Sequence, residues 1–118
     1  MAGLTTHVLD LTRGRPAAGV LVELFQIGDD NARLLVRSAT TNADGRTDAP
    51  LIAAADARTG TFELLFHAGD YFRGVGVALA DPPFLDVVPV RFGVADPGAH
   101  YHVPLLVTPW SFSTYRGS

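Results

Sequence analysis

Four histidines, His7, His67, His100 and His102, are the side chains best suited to moving protons at neutral pH. None stands in the His-Glu-x-x-His spacing of a helical zinc site. His100 and His102 lie two apart in a strand-like run, so they share a face of one strand. Such a pair can grip a metal, but zinc sites usually draw on three or four protein groups, and two make a weak case. The plain structural alternative is an edge histidine with a solvent-facing neighbour. Arg46 follows an Asp44-Gly45 turn and, taken alone, reads as a solvated turn arginine. Ser111, Ser113 and Ser118 lack the Gly-x-Ser-x-Gly context of a nucleophile elbow. No carboxylate pair stands out for glycoside chemistry. Gly74-Val75-Gly76 has neither the full spacing nor the preceding strand of a phosphate loop. The sequence closes on Tyr115, Arg116, Gly117 and Ser118, a dense hydrogen-bonding group where frayed, inert residues are the norm.

These side chains must be positioned by short β-rich runs separated by Gly, Pro, Asn and Asp. Strands are predicted over 4–11, 20–27, 33–41, 61–67, 87–94, 101–108 and 112–116. Turn signals fall at 28–31 and 42–45, with Gly45 suited to positive φ. Pro89 cannot donate to a ladder, so its strand should be a sheet edge or carry a bulge. A short helix is expected over 70–79, with Asp70 as N-cap and Gly74 and Gly76 weakening it. Together these make an all-β fold, an antiparallel sandwich of seven to eight strands with one short helix, in a single domain over 1–118.

The faces of two strands are unusual. His7 is in phase with Thr5, Leu9 and Leu11, and the alternate set is Leu4, Thr6, Val8 and Asp10. His102 shares its face with Pro104 and Leu106, while Tyr101, Val103, Leu105 and Val107 read as core. The histidine-bearing face is too apolar for plain solvent. A subunit interface or a lined cavity would account for it.

Composition narrows the function classes. Of 118 residues, 47% are hydrophobic and 18% charged, enough apolar material for a real core and too much for disorder. A net charge of -3 without a basic block gives no nucleic-acid surface. The chain has no cysteine, which rules out disulfides and thiolate zinc sites. Residues 1–6 show no secretory pattern and no run is long enough to cross a bilayer, so a cytoplasmic protein without membrane contact is expected.

Four stretches together carry a resemblance: LTTHVLDLTRGRPAAGVLVEL (4–24), TNADGRTDAPL (41–51), VRFGVADPGAHYHVPLLVTP (90–109) and STYRGS (113–118). Over nearly its whole length the chain resembles the transthyretin-related proteins that act as 5-hydroxyisourate hydrolases in urate breakdown. The Tyr-Arg-Gly-Ser end is the most specific of these marks. The resemblance implies a transthyretin-like two-sheet sandwich of eight strands with a short helix. It also implies a homotetramer, a dimer of dimers with its active sites at the dimer–dimer interface along a central channel.

Residue by residue, the resemblance puts catalytic roles on His7, Arg46, His102 and Ser118, and substrate contacts on His7, Arg46, Tyr115, Arg116 and Gly117. His100, at the mouth of its strand, is expected to be peripheral, and His67 matches no catalytic position. Trp110, Phe112 and Pro89 depart from the usual pattern outside that set. The implied reaction opens the six-membered ring of 5-hydroxyisourate at an acyl C–N bond, giving 2-oxo-4-hydroxy-4-carboxy-5-ureidoimidazoline, with no cofactor and no metal. Without cysteine or an elbow serine, water is expected to attack directly, with His7 or His102 as base and a slight preference for His7. Arg46 suits a planar, carbonyl-rich substrate and a developing oxyanion. The rival readings are a transthyretin-type carrier of small aromatic ligands and an immunoglobulin-like interaction module. The same fold can serve such different ends.

Overall fold

In the computed structural model, which describes residues 2–117, ten strand segments and one α-helix build a two-layer sandwich. The strands are β1 (Gly3–Thr5), β2 (Val8–Asp10), β3 (Arg15–Pro16), β4 (Leu21–Ile27), β5 (Arg33–Thr40), β6 (Gly60–His67), β7 (Val87–Val94), β8 (His100–His102), β9 (Leu105–Val107) and β10 (Phe112–Thr114). Helix α1 (Ala68–Gly74) follows β6 directly. One layer has the order β5-β4-β6-β7. The other has the order β10-β9-β2-β3, prolonged by the β1-β8 pair.

Two predicted strands are each split in two. β1 and β2 are one run interrupted at Thr6 and His7, and β8 and β9 are one run interrupted at Val103 and Pro104. The breaks face each other. Pro104 has no N–H to give to the ladder, and the Val103 carbonyl accepts instead from the Thr6 hydroxyl at 2.7 Å. Register survives the gap, because Val103 N–H donates to Thr5 O and Leu105 N–H to His7 O, both at 2.9 Å. Thr5 therefore stays opposite His102 and Val8 opposite Leu105. These pairs run parallel, whereas the sequence was read as antiparallel throughout. Parallel neighbours need a long crossover, and here the other layer and the helix supply it.

The sandwich core is made by strand alternation. Val22, Leu24, Phe62, Leu64, Phe66 and Val88 point inward from one layer and are almost fully buried. They meet Leu4 and Val8 and the predicted set Tyr101, Val103, Leu105 and Val107 from the other. The alternate residues Thr5, His7, Leu9, His100, His102 and Leu106 are only half buried and form the outer face. Pro89 sits on β7, an edge strand, as its missing donor requires.

The helix differs from expectation. It spans Ala68–Gly74, with His67 and not Asp70 at the N-cap position and no side-chain cap. Gly69 N–H donates to Asp86 O at 2.8 Å, and a Cβ on Gly69 would lie 2.5 Å from Asp86 Oδ1. That close approach starts the helix at the end of β6. Gly76, at φ 89, ends any continuation. The helix is tied to β2 by a buried bond from Tyr71 Oη to Asp10 Oδ2 at 2.7 Å, while Asp10 Oδ1 accepts from Arg13 N–H at 3.1 Å. Burial, and then the Asp10 carboxylate, push the Tyr71 hydroxyl up to about 12. Tyr71→Phe strips one donor from a carboxylate with no solvent exposure. It is expected to cost about 1–3 kcal/mol, read as a lower urea midpoint at unchanged m-value. An unchanged midpoint would show that the bond contributes nothing.

Candidate active site

His7 lies in the break between β1 and β2, where its carbonyl still holds Leu105. Its ring Nε2 is 2.9 Å from the Asp44 carbonyl oxygen. A carbonyl only accepts, so Nε2 carries the hydrogen and the neutral ring keeps its lone pair on Nδ1. The turn that presents Asp44 is self-supporting. Asn42 Oδ1 accepts the N–H groups of Asp44 (2.9 Å) and Arg46 (3.2 Å), and Asn42 N–H donates to Arg46 O at 2.7 Å. The turn is also stapled to β2, through Val8 N–H to Gly45 O at 2.8 Å. Only glycine fits there: φ is 74, and a Cβ would lie 2.4 Å from Val8 O. Arg46 leaves this turn exposed, beside a groove of about 170 Å³ lined by Thr5, Thr6, Arg46, Thr47, Asp48, Ala49 and Pro50.

His102 projects from the end of β8 on the same outer face. Its Nδ1 is 2.8 Å from Thr5 Oγ1, and that same oxygen is 3.1 Å from His100 Nε2. Burial, then the Arg46 guanidinium, then His7 and His100 hold the His102 ring below the usual histidine range. The ring is therefore neutral at neutral pH and able to accept a proton. The C-terminal segment closes on it. Gly117 N–H donates to His102 O at 2.7 Å, and the two residues form an antiparallel bridge. A Cβ on Gly117 would lie 2.8 Å from His102 Cδ2 and 3.2 Å from Cγ, so the imidazole packs where only glycine leaves room. Arg116 lies over the Tyr101 ring at 4.2 Å and reaches the His100 carbonyl at 3.5 Å.

The structure thus gathers His7, Arg46, His102 and Gly117 on one face, with Arg116 alongside. Tyr115 is 60% exposed, and Ser118 lies outside the described residues. His67 is on the other layer, bonded to Glu23 at 2.6 Å, away from this cluster. His100 is not peripheral, as the sequence led us to expect. It shares a hydroxyl with His102, because residues two apart on a strand face the same way and Thr5 stands opposite them. Thr5 and Asn42 were not recognised as site residues from the sequence. Their signals were the phase of Thr5 with His7, and an Asn three residues ahead of a turn glycine. Among the described residues, no group of three or more His, Asp or Glu side chains is placed to hold a metal.

The lowered His102 pKa has a definite sign. The folded state holds this proton less tightly than the unfolded chain, so the ring subtracts stability as pH falls below about 6.5 and has no such effect above it. In histidine NMR titrations His102 should have its midpoint below 6.5. Arg46→Gln should move that midpoint upward by removing the largest charge effect that opposes protonation. A midpoint that ignored Arg46 would mean the two groups are not coupled.

The chain has close relatives among known proteins. A chain named 5-hydroxyisourate hydrolase from Deinococcus radiodurans is 63% identical over 98% of this chain and 96% of its own length. A solved (S)-allantoin synthase superposes with a TM-score of 0.91 at 44% identity, over 98% of this chain and 43% of that longer one. Transthyretin from Sparus aurata gives a TM-score of 0.86 at 25% identity, over 99% of this chain and 97% of its own. The family model described as HIUase/Transthyretin matches residues 4–117. By this match, and by identity along almost its full length, the chain belongs to the HIUase/Transthyretin family.

Proposed function

We propose that this protein hydrolyses 5-hydroxyisourate, opening its six-membered ring at an acyl C–N bond. The observation that carries the reading is the closure of Gly117 onto the His102 ring. It brings Gly117, with Arg116 beside it, to the same face as His7 and Arg46. A channel for an apolar ligand has no need of such a polar set. The activity named for the relative that is 63% identical is the same one.

In this reading water is the nucleophile. His102, kept neutral by burial and Arg46, takes a proton from water through Nε2 as the oxygen bonds to the acyl carbon. Arg46, exposed beside the groove, matches the carbonyl edge of the substrate and the negative charge gathering on the attacked oxygen. His7, its tautomer pinned by the Asp44 carbonyl, orients the water or substrate through Nδ1. When the C–N bond breaks, His102 returns the proton to the leaving nitrogen. Tyr115, Arg116 and Gly117 are assigned to substrate contact, and Ser118 keeps the catalytic role that the family resemblance gives it. The outer face also carries Leu9 and Leu106, paired across β2 and β9, and Leu11 is 52% exposed. We assign this face to contact between dimers of a homotetramer, which static light scattering on the purified protein would test.

Freshly generated 5-hydroxyisourate decays with a change in ultraviolet absorbance, and the protein should accelerate that decay. His7→Ala, Arg46→Ala and His102→Ala should each lower turnover by about two orders of magnitude or more without changing the oligomer. Any of them that retained normal turnover would leave the set. Deleting 115–118 should remove activity before stability. Gly117→Ala should displace the His102 ring and reduce kcat, while an unchanged kcat would show that the ring tolerates the methyl.

A further inference from the structure

Thr5 Oγ1 touches two imidazoles, His102 Nδ1 at 2.8 Å and His100 Nε2 at 3.1 Å. A hydroxyl has one hydrogen to donate. If both contacts are hydrogen bonds between neutral groups, one ring nitrogen donates to Thr5 and the other accepts from it. Only two arrangements satisfy this. In the first, His102 Nδ1–H donates to Thr5, Thr5 donates to His100, and His102 Nε2 is a bare lone pair. In the second, His100 Nε2–H donates to Thr5, Thr5 donates to His102 Nδ1, and His102 Nε2 carries the hydrogen. The first makes His102 a base, and the second makes it an acid.

Resting on the hydrolase reading above, we propose that Thr5 and His100 are positioning residues that set the tautomer of His102 and pass its proton. When water attacks, its proton goes to His102 Nε2 and its oxygen bonds to the acyl carbon. The Nδ1 hydrogen moves to Thr5 Oγ1, and the Thr5 hydrogen moves to His100 Nε2. His102 and Thr5 end neutral. The carbonyl oxygen gains one negative charge and His100, already hydrogen-bearing at Nδ1, one positive charge. When the C–N bond breaks, His102 Nε2–H goes to the leaving nitrogen. The two shared hydrogens then step back, and the resting arrangement returns.

Three features support this wire over a simple brace. The charge leaves a ring that burial, Arg46, His7 and His100 all disfavour charging. It is received by another imidazole, so the transfer joins like groups, unlike the handing of a proton to a carboxylate. The wire is also rigid. Thr5 is in ladder register with His102, the His102 ring is packed on Gly117, and the His100 carbonyl is reached by Arg116. Arg116 itself lies over the Tyr101 ring, at 4.2 Å.

The test combines ring-nitrogen NMR, which reports histidine tautomers without turnover, with the ultraviolet assay. In the unaltered protein at neutral pH, His102 should carry its hydrogen on Nδ1. Thr5→Val and His100→Ala should return His102 toward the Nε2–H form that free imidazole favours. Both should lower kcat about tenfold or more with little change in KM, and Thr5→Ser should restore the tautomer and kcat together. Should Thr5→Val fail to fold, His100→Ala and Thr5→Ser carry the same comparison. Retention of the Nδ1–H tautomer and normal kcat in His100→Ala, or an Nε2–H tautomer in the unaltered protein, would overturn the proposal. A protein that leaves 5-hydroxyisourate decay unaccelerated would overturn the hydrolase reading instead, and the tautomer measurements would still decide the role of Thr5.

Discussion

The site depends on one register, that of the N-terminal strand lying parallel to the β8–β9 run. A slip of one residue in a strand exchanges its two faces. Here that would put Leu4 and Val8 outside and Thr5 and His7 in the core. Burial of Leu4, Val8, Val103 and Leu105 fixes the register thermodynamically. The reward is of the order of 1.5–3 kcal/mol for each large apolar side chain buried. The functional geometry follows from that burial. Once Val8 faces Leu105, Thr5 must face His102, and the polar set must stand together on the outer side.

The break in that register is as informative as the register itself. Pro104 and the Thr6 hydroxyl interrupt the ladder at the level of His7, and the strands continue on each side. His7 therefore sits in a backbone gap between two well-held segments, with its carbonyl bonded and its ring reaching the Asp44 carbonyl. Sites built on regular elements hold their geometry more closely than sites built on loops. Even the Arg46 turn obeys this, because Gly45 lets it press against the Val8 carbonyl and peptide N–H.

Family membership includes both hydrolases and transthyretins, and the fold does not separate them. Transthyretin from Sparus aurata superposes almost as well as the (S)-allantoin synthase does. The polar groups collect on the outer face of one sheet. In this chain that face carries two histidines sharing one threonine hydroxyl, a guanidinium near enough to depress a histidine pKa, and a glycine against an imidazole. A depressed histidine pKa within a polar cluster of this kind is the pattern expected of a functional site.

The sequence by itself determined the class of fold and the core strands, and it named most of the residues that the structure gathers into the candidate site. Alternation of apolar residues in β4, β6 and β8–β9 is a local property, and so is the Asn-Ala-Asp-Gly turn. The motifs around His7, Arg46, His102 and Gly117 carried the family resemblance without any coordinates. Tertiary structure decided what no local pattern holds. The parallel pairing of the first strand with the last third of the chain is a long-range choice, made by burial on the far face. The start of α1 at Ala68 depends on the close approach of Asp86 to Gly69, distant in sequence. The place of His100 beside Thr5 depends on the same pairing, because a hydroxyl near one end of the chain and two imidazoles near the other meet only when the register is set.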